Sequence, residues 1–358
     1  MRILQLIDSL DAGGAERMAV NYANALADNV AFSAVVATRK EGLLKAVLNP
    51  KVGYFFAARK STIDITAILR LRKFVKANKI QIVHCHGSSF FTAVLLKITY
   101  SGIKIIWHDH YGNSMYLSKR NTIPLKAASF FFEGIITVNR QLLEWSASNL
   151  YCKNVIYLPN FVGRQDTSPV ETILLGEEGK RIVCLANLRP QKNHFLLIDV
   201  AVKLKQSHPD WTFHLVGQDF KDAYSQEIKE RITIQGLDKN VFLYGTKPDI
   251  ANILDQSDIC ILTSRSEGLP LAFLEYGTFG KPVVVTNVGE LPNIVRDREN
   301  GRIVPSENAL LFYEAVTEII ANTHLREKMG SALAATIINN YSEQAIMVRY
   351  TSWLKKII

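Results

Sequence analysis

Short runs of Val, Ile and Leu alternate along the chain with longer stretches in which apolar positions recur three and four residues apart. In the first half the runs fall near Arg2–Ile7, Ser33–Thr38, Gln81–His84, Ile103–His108 and Gly134–Val138. In the second they fall near Arg181–Ala186, Trp211–Val216, Asn240–Tyr244, Asp258–Leu262 and Pro282–Thr286. Apolar runs of this kind mark strands covered on both faces, and their alternation with helical stretches predicts an α/β chain with a parallel sheet in each half. A chain of 358 residues exceeds what one core usually holds. Two domains are therefore expected, at 1–160 and 181–341, joined by a polar linker with Gly and Pro at 161–180. Residues 342–358 carry a helical pattern of Ile346, Val348, Tyr350, Trp353, Leu354 and Ile357.

Charge divides unevenly between these halves. Met1–Asn160 has 20 basic and 9 acidic residues, the remainder 22 and 24. The strongly basic half is expected to meet something anionic, a membrane surface or a lipid diphosphate. Over Ile63–Lys79, Ile65, Ile68, Leu69, Phe74 and Val75 are interleaved with Arg70, Arg72, Lys73, Lys76 and Lys79. Such a helix suits an anionic lipid surface, and equally suits packing on the sheet with its cations in solvent. A second segment, Ser114–Phe132, mixes Met115, Tyr116, Leu117, Phe130, Phe131 and Phe132 with Lys119, Arg120 and Lys126. No recognition motif accompanies the basic bias, so nucleic acid is not expected. Cys85, Cys152, Cys184 and Cys260 show no paired spacing and read as small core residues of a reducing compartment. Met1-Arg2 leads straight into a strand, and no apolar stretch reaches the span of a bilayer. A cytoplasmic protein, soluble or peripheral on the inner face of the membrane, is expected.

Ser264–Val285, SRSEGLPLAFLEYGTFGKPVVV, is the most informative stretch. Glu267 and Glu275 stand eight positions apart around a Gly-Leu-Pro turn, and a helix is predicted over Pro270–Phe279. The unpaired N–H groups at a helix start attract anions, and Gly268 lets the backbone approach a ligand. Carboxylates there suit hydroxyl groups rather than phosphate. The ligand that answers both is a phosphate carrying sugars. Cys184–His194, CLANLRPQKNH, follows a predicted strand and presents Arg189 and Lys192, a planar fork and a compact ammonium suited to a diphosphate. At the chain start, Asp11-Ala-Gly-Gly-Ala-Glu-Arg17 places Gly13 and Gly14 where a strand feeds a helix, allowing close approach to an anion.

These motifs resemble the E-x7-E element, the Arg/Lys loop and the Gly-Gly-Ala-Glu-Arg start of retaining glycosyltransferases of the GT-B fold, in particular glycosyltransferase family 4. The resemblance covers most of the chain, most strongly Arg181–Val304. It implies two Rossmann-like domains facing a central cleft, with the final helix packing back on the first. It also implies a nucleotide diphosphate sugar as donor, and a glycan or lipid-linked saccharide as acceptor, with Ser114–Phe132, which in this fold follows the histidine loop, as a guide for a lipid-linked acceptor. By the same resemblance Arg189 and Lys192 stabilise the leaving diphosphate, aided by the backbone of Gly268, Leu269, Pro270 and Leu271. Glu275 bonds the ribose hydroxyls and Glu267 the sugar hydroxyls. Gly14, beside Gly13, nears the donor phosphate; Gly217 lines the nucleotide site, and Tyr244 and Gly245 mark where the base docks. His110 falls on the histidine that touches the donor sugar, with His108 on a position that is Thr in the family. The run Gly289-Glu290-Leu-Pro-Asn293 has Asn293 where Glu is usual. His84-Cys85-His86 and His108-Asp109-His110 have metal-like spacing, yet family 4 enzymes work without a bound divalent ion, so no cofactor is expected. A GT-B sugar-nucleotide 2-epimerase and a non-catalytic nucleotide-sugar-binding protein are the competing readings. Which base, sugar or acceptor is used is not specified by these residues.

Overall fold

A computed structural model describes residues 1–11, 13–112, 117–118, 120–163 and 170–358. The chain divides into two compact units, Met1–Arg164 with Ser342–Ile358, and Gln165–Tyr341. The first unit is built on strands β1 (Arg2–Ser9), β2 (Phe32–Lys40), β3 (Gly53–Phe56), β4 (Ile82–His86), β5 (Lys104–Asp109), β6 (Phe132–Thr137) and β7 (Val155–Tyr157). They form one parallel sheet in the order β3-β2-β1-β4-β5-β6-β7. The second unit contains β8 (Arg181–Leu185), β9 (Thr212–Val216), β10 (Val241–Gly245), β11 (Ile259–Leu262), β12 (Val283–Thr286) and β13 (Arg302–Val304), parallel in the order β10-β9-β8-β11-β12-β13.

Strand order reverses beside the first strand of each sheet, between β1 and β4 and between β8 and β11. An open parallel sheet leaves room for a ligand there, outside the carboxyl ends of its strands. All ten expected strands are present. Three more, β3, β7 and β13, were not expected; each has three or four largely half-buried residues, whereas the four-residue β11 and β12 are buried throughout and so still show a continuous apolar run.

The boundary between the two units falls inside the 161–180 stretch, parts of which pack against one unit or the other. Phe161 is fully buried in the first unit. In the second, Asp249 accepts hydrogen bonds from the backbone of Glu171 (2.9 Å) and Thr172 (2.7 Å), Gln256 accepts from Leu174 N, and Leu174 is buried. Pro169 and its neighbours from 164 onward lie outside the described residues. The final helix, Glu343–Ile357, is capped by the Ser342 hydroxyl and buries Ile346, Met347, Tyr350 and Leu354 in the first unit. Burying side chains of this size contributes roughly 1.5–3 kcal/mol each. Val348, expected on the same stripe, is 60% exposed. Trp353 and Ile357 press on β6 at Gly134, where a Cβ would stand 2.6 Å from the indole, so only glycine admits the helix this closely. Among the described residues no helix is long and apolar enough to cross a membrane, and all four cysteines are buried and free.

Candidate functional site

In the second unit the sequence-predicted residues gather at the carboxyl ends of β8, β9 and β11. After β8 the backbone is extended at Arg189, makes one 3-10 turn over Pro190–Lys192, and passes through a left-handed Asn193 (φ 51, ψ 55) into the helix His194–Ser207. This loop is stitched to the one after β11. Thr263 Oγ1 donates to Lys192 O at 3.0 Å, and Arg265 N donates to Gln191 O at 2.8 Å. Lys192 Nζ thereby lies 2.5 Å from Glu267 Oε1, which also accepts from Ser264 Oγ at 2.6 Å. Glu267 is only 6% exposed. A carboxylate so deep requires a partner, and Lys192 provides it. The exposed Arg189 guanidinium lies 4.6 Å from the Phe220 ring centroid, so the two cations of the motif are held separately, one by a carboxylate and one by a ring.

The E-x7-E helix runs over Leu271–Thr278, one position later than expected: Pro270, read as its first residue, is instead its cap in extended conformation (φ −68, ψ 129). No side chain caps this helix start, which leaves the N–H groups beyond Gly268, Leu269 and Pro270 oriented for an anion. Glu275 is half-buried one turn along. The hydroxyl of its neighbour Tyr276 accepts from Leu185 N at 2.7 Å, anchoring the helix on β8. A Cβ on Gly217 would stand 2.2 Å from Ala186 O, so glycine is required where the turns after β8 and β9 meet. Gly217 N donates to Gly245 O at 3.0 Å, bringing Gly245 to the same strand ends. The Tyr244 hydroxyl is committed within the unit: it accepts from Leu175 N and bonds His214 Nδ1 at 3.1 Å. Asn293 donates to Glu290, whose N–H donates to Gly268 O; the departure at Asn293 thus serves to hold the loop behind Glu267. Asn193, which sequence reasoning missed, is 1% exposed, and both polar atoms of its amide lack partners among the described residues.

In the first unit the helix Gly14–Leu26 starts after an extended Gly13 with no side-chain cap. A Cβ on Gly13 would overlap the Glu16 carboxylate, whereas one on Gly14 would meet nothing within 4 Å. The Glu16 carboxylate thus folds back over its own helix start, and Gly14 keeps the open side. Asp8, at the end of β1, accepts from Thr38 (2.5 Å), Ser88 (2.7 Å) and Arg59 (3.3 Å), a cluster without a sequence signal.

Parallel pairing of β4 with β5 sets His86 opposite His108 and gathers four histidines. His84 Nε2 lies 3.2 Å from His108 Nδ1, and His84 Nδ1 lies 3.1 Å from the Tyr350 hydroxyl. His86 Nδ1 lies 3.0 Å from His110 Nε2, and His86 Nε2 lies 2.8 Å from Gln5 Oε1. Burial pushes His110 down to about 3 and drives His84, His86 and His108 well below the usual histidine value, so all four are neutral near pH 7. Nitrogens of His84, His86 and His108 lie within 4.8 Å of one another, the one group among the described residues that could hold a metal ion.

Asp109, between His108 and His110, forms a two-pronged ion pair with Arg120 (2.6 and 3.0 Å), and the guanidinium lies 4.5 Å from both the Tyr111 and Trp145 rings. Arg120 is therefore not available to an acceptor, contrary to the reading of Ser114–Phe132. Ser114, Met115, Tyr116 and Lys119 lie outside the described residues, whereas Phe130 is 70% exposed and Phe132 is buried at the start of β6. On the helix Ile65–Ala77 the expected stripe splits. Ile68 and Val75 enter the core, while Ile65 (68%) and Leu69 (48%) remain exposed beside Lys73 and Lys76. Arg70 donates to Ala57 O at 2.7 Å, and Arg72 is half-buried.

Residues 170–335 match the family model described as glycosyl transferases group 1, and residues 12–165 match the one described as glycosyltransferase family 4. The chain is 26% identical over 324 residues to the UDP-Gal:alpha-D-GlcNAc-diphosphoundecaprenol alpha-1,3-galactosyltransferase of Escherichia coli, covering 82% of this chain and 81% of that one. It is 23% identical over 287 residues to the poly(ribitol-phosphate) alpha-N-acetylglucosaminyltransferase of Staphylococcus aureus, covering 78% of this chain and 56% of the relative. Among solved structures it superposes on Anabaena HepE in complex with UDP and glucose with a TM-score of 0.82 at 18% identity, covering 99% of this chain and all of the other. On S. aureus TarM, in complex with Fondaparinux, alpha-GlcNAc-glycerol and UDP, the TM-score is 0.81 at 13% identity with 99% of each chain covered.

Proposed function

Because the chain belongs to the GT-B glycosyltransferases of family 4 and group 1, we propose that it moves a hexosyl unit from a nucleotide diphosphate sugar to a lipid-linked or polysaccharide acceptor, with retention of configuration. The observation that carries this reading is the joining of the Arg189–Lys192 loop to the Glu267 turn, directly ahead of an uncapped helix start. Cations and backbone N–H groups preorganised there are what a departing diphosphate needs as charge accumulates on it. UDP is favoured as the carrier, because the E. coli relative is named for UDP-Gal and the HepE structure holds UDP.

In this reading Arg189, Lys192 and the N–H groups at Gly268–Leu271 take the diphosphate, Glu275 the ribose, Glu267 the sugar hydroxyls, and His110 the transferred sugar. The bond from the anomeric carbon to the diphosphate oxygen breaks. The acceptor hydroxyl bonds the same carbon from the same face and passes its proton to a diphosphate oxygen, so no nucleophilic carboxylate is required. No metal is required either: the side-chain cations supply the charge, and both ring nitrogens of His84 and of His86 already have hydrogen-bond partners. The reading places the protein in the cytoplasm, peripheral to the inner membrane face, where Lys73 and Lys76 beside Ile65 and Leu69 suit anionic lipid. The test is incubation with UDP- and GDP-sugars, scoring nucleoside diphosphate release with and without lipid-linked saccharide. Acceptor-dependent release is expected; epimerised nucleotide sugar without release overturns the reading.

A further inference from the structure

We propose that Gln5 is a positioning residue that fixes His86, and through it His110, as Nε2–H tautomers, so that His110 presents an unprotonated Nδ1 to a hydroxyl donor. Gln5 lies mid-strand on β1, fully buried, and its Oε1 stands 2.8 Å from His86 Nε2. An amide oxygen only accepts, so His86 Nε2 carries the proton. A neutral imidazole has one N–H, which leaves His86 Nδ1 as an acceptor. His110 Nε2, 3.0 Å away, must then donate to it, and the lone pair of His110 falls on Nδ1. Neutrality of both rings follows from their burial, which disfavours the imidazolium.

Two further observations single out Gln5. Its Nε2 makes no well-formed hydrogen bond, but it stands close enough to the Tyr350 hydroxyl to favour the ionised phenol as a donor would, which leaves Oε1 as the amide atom facing His86. Among the described residues, the parallel chain through Tyr350, His84 and His108 ends on a hydroxyl and on a His108 Nε2 without a hydrogen-bond partner, not on an amide oxygen. A tyrosine hydroxyl both donates and accepts, so that chain can run in either direction. Of the four histidines, His110 is the half-buried one, and among the described residues no hydrogen bond reaches its Nδ1. An acceptor there selects a ligand that offers an O–H, as a sugar does. This last step rests on the function proposed above; the tautomers themselves do not.

The test is a long-range proton–nitrogen correlation spectrum of protein carrying 15N-histidine, with His110 assigned by His110→Gln. Wild-type protein at pH 7 is expected to show His86 and His110 protonated at Nε2. In Gln5→Met, which keeps the side-chain length and removes the acceptor, both rings should populate both tautomers, and kcat should fall about tenfold with a smaller change in donor KM. A proton on His110 Nδ1 in the wild type overturns the assignment, and so do unchanged tautomers in Gln5→Met. The wild-type spectrum needs no variant to fold. If the tautomers are as assigned and no nucleotide sugar is turned over, the positioning stands and the proposed function fails.

Discussion

Replacing Lys192 with Met separates two roles that the structure assigns to one ammonium. The Lys192 side chain is 20% exposed and Glu267 is 8% exposed, with 2.5 Å between them. Pairs in solvent contribute about 0–1 kcal/mol, whereas stranding one member of a buried pair costs about 3–5. Glu267 retains the Ser264 hydroxyl, so the cost of Lys192→Met should lie between these, about 2–3 kcal/mol. For a unit of this size that corresponds to a melting temperature lower by roughly 4–12 °C. Adding Glu267→Gln removes the stranded charge and keeps an acceptor for Ser264, so most of the lost stability should return. Turnover should not: loss of a cation from the diphosphate costs on the order of a hundredfold or more, and the double variant does not restore it. Thermal unfolding and nucleoside diphosphate release read the two effects separately. A double variant as unstable as Lys192→Met sinks the pairing argument. One that recovers turnover along with stability would remove both the Lys192 ammonium and the Glu267 carboxylate from the reacting site.

Glu275→Ala should abolish transfer without lowering the melting temperature by more than about 1 kcal/mol equivalent, since the side chain is half-buried on a helix anchored by Tyr276; near-normal turnover would remove Glu275 from the site. Transfer should persist in EDTA, and inhibition reversed by added manganese would reopen the His84, His86, His108 group as a metal site. Reversing Arg70, Arg72, Lys73 and Lys76 to Glu should weaken co-sedimentation with anionic vesicles at low salt while donor binding holds, and equal sedimentation of both proteins would make the basic excess merely solvated surface. The neutral buried histidines also predict acid sensitivity. His110 and His214 are held down to about 3 and His194 to about 4 by burial, against an unfolded value near 6.5, so between those limits the unfolded chain binds more protons. The urea midpoint should therefore fall as pH drops from 7 to 5, and a flat midpoint over that range would contradict the burial.

The long central strands were legible because burial on both faces makes them continuous apolar runs, as in β2 and β8. The shortest edge strands were not: β3, Gly53–Phe56, and β7, Val155–Tyr157, are only half-buried, whereas the five-residue edge strand β10 was read. In the second unit, Arg189, Lys192, Glu267 and Glu275 could be read because each lies on the loop that follows a strand or on the helix which that loop opens, so spacing along the chain matches proximity in space. The histidine group was only half readable. His84-Cys85-His86 and His108-Asp109-His110 stand out as pairs, but their meeting depends on β4 lying beside β5 in a register that no local pattern encodes. Gln5 gave no signal, being one polar residue inside an apolar strand. Arg120 was read as part of a guide for a lipid-linked acceptor, because its partner Asp109 lies on the strand before the loop and its aromatic contacts include Trp145, which is remote in sequence.

The seating of helix Glu343–Ile357 on Gly134 and against His84 bears on how the polypeptide acquires its shape as it is made. Synthesis runs from the N-terminus, so the seven strands of the first sheet emerge while the segment that covers Tyr22 and His84 with Tyr350 is still unmade. All of Gln165–Tyr341 must be translated in between. Contacts this distant in sequence form late and slowly. The second unit is continuous in sequence and can complete its core on the ribosome, whereas the first waits with an uncovered aromatic face for the last helix to arrive, the stage at which a nascent chain is most exposed to aggregation.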